Sequence, residues 1–269
     1  MKETTFEDLL GAGVHLGHLT KKWNPRFSPY IYGVRAGIHI IDLHKTLVQL
    51  NEAALALRQL AKTGKKILFV GTKKQAAEII QNRLPEVAMP YVTERWPGGM
   101  LTNFGTIRRS IKKMQALDKM FKDGTADTMS KRERLQLQRQ KEKMEKLFGS
   151  IVDMTKIPAA IFVVDIKKEH IAVREAKKLG IPVFAMVDTN SNPDEVDHPI
   201  PANDDAISSI DLIISVLTAA MQEGLVERKA AAAASKENTA AEAKKESDMM
   251  EETRVLRSRK KKTETPEQQ

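Results

Sequence analysis

Cysteine is absent from the 269 residues. That excludes a disulfide framework, thiolate zinc ribbons, iron–sulfur clusters and any cysteine nucleophile. Aromatic residues make up only 5%, although the 41% hydrophobic share is enough for a real core. No stretch approaches the ~18 uninterrupted apolar residues of a membrane span. The start, Met1-Lys2-Glu3-Thr4-Thr5, has no apolar h-region, so a soluble cytosolic protein is expected. Catalytic signatures are missing too: there is neither a Gly-x-Ser-x-Gly elbow nor a His-Glu-x-x-His helix.

What is present is charge, unevenly placed. Lys and Arg number 44 against 35 Asp and Glu, a formal net charge of +9. Residues 105–150 hold thirteen basic and six acidic groups, whereas residues 151–226 hold six basic and twelve acidic. One face toward a polyanion and another toward protein or solvent would fit this asymmetry.

Short apolar runs at 67–71, 160–164 and 183–187 end in Gly71, Asp165 and Asp188. Unalternating runs of that length read as strands buried on both faces. Helical spacing lies between and around them: Leu43 to Lys62 before Gly64, Lys73 to Leu84 before Pro85, Glu169 to Leu179 before Gly180, and Ala206 to Glu223 before Gly224. Asp204-Asp205 is in a good position to cap the last of these. The alternation predicts an α/β fold, a doubly wound parallel sheet flanked by helices, over residues 1–104 and 151–226. Residues 105–150 interrupt it. Ile107, Ile111, Met114, Leu117 and Phe121 form one helical seam, and Leu137, Met144, Leu147 and Ile151 a second, with Gln140 a polar intruder. A break at Lys122-Asp123-Gly124 and a capping box at Ser130-Lys131-Arg132-Glu133 predict an inserted coiled-coil hairpin. The last stretch, 227–269, is alanine-rich and charged with no apolar face, and predicts a disordered tail.

Four places suggest binding chemistry. Gly71-Thr72-Lys73-Lys74 follows a strand, but it lacks the second glycine of a P-loop and the three of a dinucleotide fingerprint. A tight turn with two exposed lysines is the simpler reading, and Lys73 and Lys74 could still meet a phosphate there. Arg95-Trp96-Pro97-Gly98-Gly99 pairs a guanidinium with an indole, suited to stacking and phosphate pairing or to an elaborate packed turn. Lys21, Lys22, Trp23 and Arg26 form another basic–aromatic stretch. On the hairpin, Arg108, Arg109, Lys112 and Lys113 recur at helical spacing, and Lys131, Arg132 and Arg134 open the second helix. Structured RNA is the natural counterpart of so unbalanced a surface. Finally, His18 with Asp188, Asp204 and Asp205 could hold a zinc or magnesium ion, the alternative being that the aspartates only cap helices and turns.

Several blocks together resemble the ribosomal protein S-two family of the bacterial small subunit. They are His15-Leu16-Gly17-His18, Trp23-Asn24-Pro25, Ile38-His39-Ile40-Ile41-Asp42-Leu43, Phe69 to Ala76, Arg95 to Asn103, Asp188-Thr189-Asn190 and Pro199 to Ile207. The resemblance runs from about residue 5 to 225. It implies a parallel α/β domain with a protruding hairpin and no catalysis. It also implies binding of small-subunit ribosomal RNA, neighbouring ribosomal proteins and docking of ribosomal protein S-one. Pro97 stands where the family usually has leucine, and Ser208 where an arginine often follows Asp-Asp-Ala-Ile, so one basic contact that the resemblance implies is not expected to carry over. The competing class is a nucleotide-binding α/β enzyme. Neither a membrane nor a small-molecule substrate is expected as a partner.

Overall fold

The structure is a computed structural model that describes residues 4–231. The tail expected over 227–269 therefore lies, from 232 onward, outside the described residues. The chain begins with helix α1 (Phe6–Gly11), started by a reciprocal capping box between Thr5 and Asp8. A small antiparallel sheet follows, which the run of mixed polar and apolar residues did not announce. Its strands are β1 (Leu16–Leu19), β2 (Ile31–Arg35) and β3 (Ile38–Ile41), in the order β1-β3-β2. Ala36 and Gly37 turn the chain between β2 and β3 with φ of 51° and 78°, the mirror-image turn that suits a twisted hairpin.

Helix α2 (Leu43–Lys62) matches the predicted span, with Asp42 accepting the His44 N–H at its start. Then come β4 (Ile67–Val70), α3 (Lys74–Val87), β5 (Tyr91–Val92), α4 (Phe104–Lys122), α5 (Lys131–Phe148), β6 (Ala160–Val164), α6 (His170–Lys178), β7 (Val183–Val187) and β8 (His198–Pro201). The described chain ends in α7 (Ile207–Ala231). The five strands β4 to β8 form one parallel sheet in the order β5-β4-β6-β7-β8. Alternate residues feed opposite layers. Ile67, Phe69, Phe162 and Val164 pack with α2, α3 and α7, while Leu68, Val70, Ile161 and Val163 pack with α6 and the root of α4. This is the doubly wound α/β architecture. Its strand order reverses between β4 and β6, which opens a crevice at their C-terminal ends.

Three boundaries differ from the sequence expectation, each for a physical reason. Helix α3 continues through Pro85 to a left-handed C-cap at Ala88 (φ 49°), whose N–H meets the Leu84 and Pro85 carbonyls. Helix α7 does not stop at Gly224. A Cβ there would come 2.4 Å from the Arg58 carbonyl oxygen, so this glycine lets α7 press against α2. Strand β8 escapes notice because Pro199 and Pro201 deplete its donors, which an edge strand tolerates. By length and composition α7 could cross a membrane, yet Ile210, Ile213, Ile214, Leu217 and Met221 are fully buried in the core.

The inserted helices α4 and α5 pack side by side. Ile107, Ile111, Met114 and Leu117 are buried along α4 as the seam predicts, and the Ser130–Glu133 capping box starts α5. On α5 the seam passes through Lys141 rather than Gln140, which is exposed. Lys141 reaches Asp118 of α4 at 2.6 Å and its ammonium lies 5.7 Å from the Phe121 ring centre. A long side chain thus fills an apolar position while its charge finds a partner. The hairpin and the sheet belong to one compact unit ending at Leu225.

Candidate functional site

The crevice at the strand ends is where an α/β protein places a small ligand. Here it is filled by the chain itself. Lys73, just after β4, extends into it with only 14% of its side chain exposed. Its Nζ lies 2.7 Å from Asp204 Oδ1, 2.7 Å from Asp205 Oδ1 and 3.1 Å from Asp165 Oδ2. Burial alone would lower the Lys73 pKa, but Asp204, Asp205 and Asp165 hold it well above the ordinary lysine range. Burial, with Asp188 and Asp165 nearby, pushes Asp204 up to about 7 despite the lysine. Asp165 is in the left-handed region (φ 66°), where its Oδ1 accepts the N–H groups of Lys167 and Lys168 at 3.0 and 3.1 Å. That local bonding is what lets a non-glycine residue sit there.

Asn203, not the Asp204-Asp205 pair, makes the turn into α7. Its Oδ1 accepts the N–H of Asp205 at 2.9 Å and of Ala206 at 3.2 Å. Both aspartates are thereby free to face Lys73. On the other side Glu169 accepts the Thr72 N–H at 3.2 Å, and burial raises its pKa.

His18 approaches from β1. Gly17 permits this: a Cβ there would meet Thr189 Cγ2 at 2.5 Å. The His18 N–H donates to Thr189 Oγ1 at 2.8 Å. Its ring lies between two carboxylates, with Nδ1 3.0 Å from Asp188 Oδ2 and Nε2 3.3 Å from Asp205 Oδ2. A hydrogen bond to Asp188, working against burial and helped by Asp204 and Asp205, raises the His18 pKa. Four aspartates therefore surround one lysine and one histidine. A nucleotide phosphate brought to this mouth would meet carboxylates where a P-loop offers free N–H groups, so the geometry opposes the nucleotide-binding reading.

The expected RNA contacts divide into outward and inward sets. Lys21, Lys22, Arg26, Lys74, Arg95, Arg109, Lys112, Lys113, Lys131, Arg132 and Arg134 are exposed. Trp23 keeps 37% of its surface exposed while its ring lies on His39, with 5.0 Å between centres. Arg26 already bonds Asp194 at 2.8 Å. Three others turn inward instead. Lys73 is the plug described above, not an exposed lysine. Arg108 is half-buried, and its Nη1 donates to the Val152 and Met154 carbonyls at 3.2 and 3.3 Å, tying down the chain that leaves α5. Trp96 is 6% exposed and its Nε1 donates to Glu175 Oε1 at 3.1 Å.

Glu175 is a site residue that the sequence reading missed. Besides Trp96 it accepts the N–H groups of Gly99, Leu101 and Thr102 at 2.7, 3.0 and 3.1 Å. Burial works to raise its pKa, but these donors outweigh it and hold the carboxyl below the usual glutamate range. Its signal was a glutamate next to Ala176 in the apolar stripe of α6. The Gly98-Gly99 loop is thus an anion-binding nest for an internal carboxylate, with Arg95 left on its outer side. Much of the acidity of 151–226 is likewise internal: Asp165, Glu169, Glu175, Asp188 and Asp204 are all buried.

A doubly wound sheet whose ligand mouth is closed by its own ion pairs, and whose inserted helices carry exposed basic side chains, has the architecture of a scaffold protein. The particular family follows from comparison with known proteins. The chain belongs to the ribosomal protein S2 family, whose model matches residues 9–224. It is 61% identical over 230 residues to small ribosomal subunit protein uS2 of Parabacteroides distasonis, covering 86% of this chain and 83% of that one. The protein of the same name from Porphyromonas gingivalis is 60% identical over 86% of this chain and 82% of its own. That from Flavobacterium johnsoniae is 61% identical over 83% of this chain and 88% of its own. All three relatives are named as proteins of the small ribosomal subunit.

Proposed function

We propose that this chain is a structural constituent of the bacterial small ribosomal subunit, anchored to small-subunit ribosomal RNA by its basic arm and the exposed loops beside the sheet. The observation that carries this reading is the unpaired charge of α4 and α5. Among the described residues, the hairpin's carboxylates engage Lys122 and Lys141 through Asp118, at 2.7 and 2.6 Å. Arg109, Lys112, Lys113, Lys131 and Arg132 have no ion-pair partner there and face outward. Side chains so placed bind phosphates by releasing counterions, which positions the protein without reading sequence. Lys21, Lys22, Trp23, Lys74 and Arg95 extend the same chemistry onto the α/β body. Neighbouring ribosomal proteins, including ribosomal protein S-one, are the partners for the remaining surface, within the ribosome of the cytoplasm.

The test is competitive assembly. Small subunits are reconstituted with equal amounts of wild type and the Arg109→Glu, Lys112→Glu, Lys113→Glu triple variant. Among the described residues these three exposed side chains make no bond to the protein, so the variant should keep the wild-type circular dichroism spectrum. Wild type should fill at least ten times as many particles. Equal incorporation would refute the arm as the anchor.

A further inference from the structure

The composition of residues 151–226 is acidic and points away from RNA, yet α6 and the turn before it present the opposite charge to the outside. Residues 165–180 hold five basic and three acidic groups. The three acids, Asp165, Glu169 and Glu175, are buried, and each is engaged in internal hydrogen bonds. Lys167, Lys168, Arg174, Lys177 and Lys178 are all exposed. Lys168 donates to the Thr72 carbonyl at 3.0 Å. Among the described residues the other four side chains have no ion-pair partner. At about 3.6 residues per turn, Arg174, Lys177 and Lys178 share the outer side of α6, while Ala172, Val173 and Ala176 pack inward. Ala172 and Ala176 lie in one buried cluster with Ile107 and Ile111 of the arm root, Trp96 and Phe27. The elements that display Arg109, Arg95 and Arg26 therefore cover the same face of the sheet as α6. Glu175 bonds the Arg95 loop to that helix directly.

Resting on the reading of this chain as an RNA-anchored ribosomal component, we propose that Lys167, Arg174, Lys177 and Lys178 form a second phosphate-binding surface. It is separate from the arm and lies along the backbone of double-helical RNA. Helix α6 carries no Phe, Tyr or Trp, and Trp96 beside it is buried. The surface therefore lacks the stacking platform that single-stranded RNA uses, and its bare cations suit a duplex bound through its phosphates. An acidic protein fits less well, because the exposed aliphatic residues Ile171 and Leu179 stand at opposite ends of the helix and make no apolar patch. Contacts to phosphate fix orientation without reading bases. The arm and α6 together hold the domain at two places, where one line of contacts would leave it free to pivot.

The full-length protein is titrated onto small subunits that lack it, at several salt concentrations. Wild type is compared with an Arg174→Gln, Lys177→Gln, Lys178→Gln variant of α6 and an Arg109→Gln, Lys112→Gln, Lys113→Gln variant of the arm. Lys65→Gln, at an exposed lysine after α2, controls for lost charge alone. All these side chains are exposed, so each variant should keep the wild-type Tm. The α6 variant should bind at least tenfold more weakly, and its slope of log affinity against log salt should fall by about 2–3. Lys65→Gln should match wild type. Because the chain has no cysteine, Lys178→Cys accepts a single tethered iron chelate, whose hydroxyl radicals should cut paired ribosomal RNA in the bound particle. The proposal is overturned if the α6 variant keeps wild-type affinity and slope while the arm variant weakens, a result that leaves anchoring by the arm intact. It is equally overturned if the tethered radicals cut a neighbouring protein and no RNA, or only unpaired RNA. Binding that neither variant weakens and salt does not affect would overturn the RNA reading itself, and this proposal with it.

Discussion

Glu175 holds Trp96 from the opposite side of the loop that follows β5: its Oε1 accepts the indole Nε1–H at 3.1 Å and the Gly99 N–H at 2.7 Å. Helix α6 thereby fixes a segment whose aromatic residue invites a surface reading. The consequence is a division of labour in which Trp96 locks the loop and Arg95 is displayed.

Replacing Glu175 by glutamine removes the charge and turns an amide N–H toward donors that need an acceptor. We expect a loss of about 2–3 kcal/mol of stability at neutral pH, from the usual strength of charge-assisted hydrogen bonds. The pH dependence follows from the depressed pKa. The glutamate's contribution is complete above its unfolded pKa, about 4.3, and fades as pH falls through its lower folded value. Urea unfolding of both proteins at pH 7 and pH 3.5 measures this; the gap should narrow at the acid end.

Lys73→Met should destabilise by about 3–5 kcal/mol, because Asp165, Asp204 and Asp205 would lose their shared cation inside the protein. Chemical denaturation reads the loss directly. Calorimetry of the wild type with adenine or guanine nucleotides should show no micromolar binding, since Lys73 is already engaged.

Gly224→Ala should destabilise by about 1–3 kcal/mol although alanine is the better helix former, because its methyl would overlap the Arg58 carbonyl. Gly105→Ala in α4, where nothing lies within 4 Å of the new Cβ, should be neutral or slightly stabilising. A pair of thermal melts compares the two.

The central strands were legible because β4, β6 and β7 are buried on both faces and so read as plain apolar runs. The hairpin was legible because α4 repeats its apolar residues at helical spacing, while α5 hid part of its seam behind the aliphatic stem of Lys141. Other features depend on what comes from far away in sequence. Gly224 looked like a stop until Arg58 was beside it. The β8 prolines spoke against a strand until it was placed at an edge. Lys73 and Trp96 had the chemistry of RNA contacts, and only the carboxylates of Asp204, Asp205 and Glu175 turn them inward. Those partners are recruited from more than seventy positions away in every case, which no local pattern encodes.

Salt dependence isolates the electrostatic part of RNA binding. For the purified protein on small-subunit ribosomal RNA, the slope of log affinity against log salt should fall by about 1 for each arm residue neutralised that meets a phosphate. Lys112→Gln and Arg109→Gln test this one side chain at a time.

The most direct test is a high-resolution map of the small subunit containing this chain. The account predicts Arg109, Lys112 and Lys113 within hydrogen-bond reach of RNA phosphates while Lys73 and Trp96 keep their internal partners. A fully occupied particle in which those three side chains extend into open solvent would contradict it.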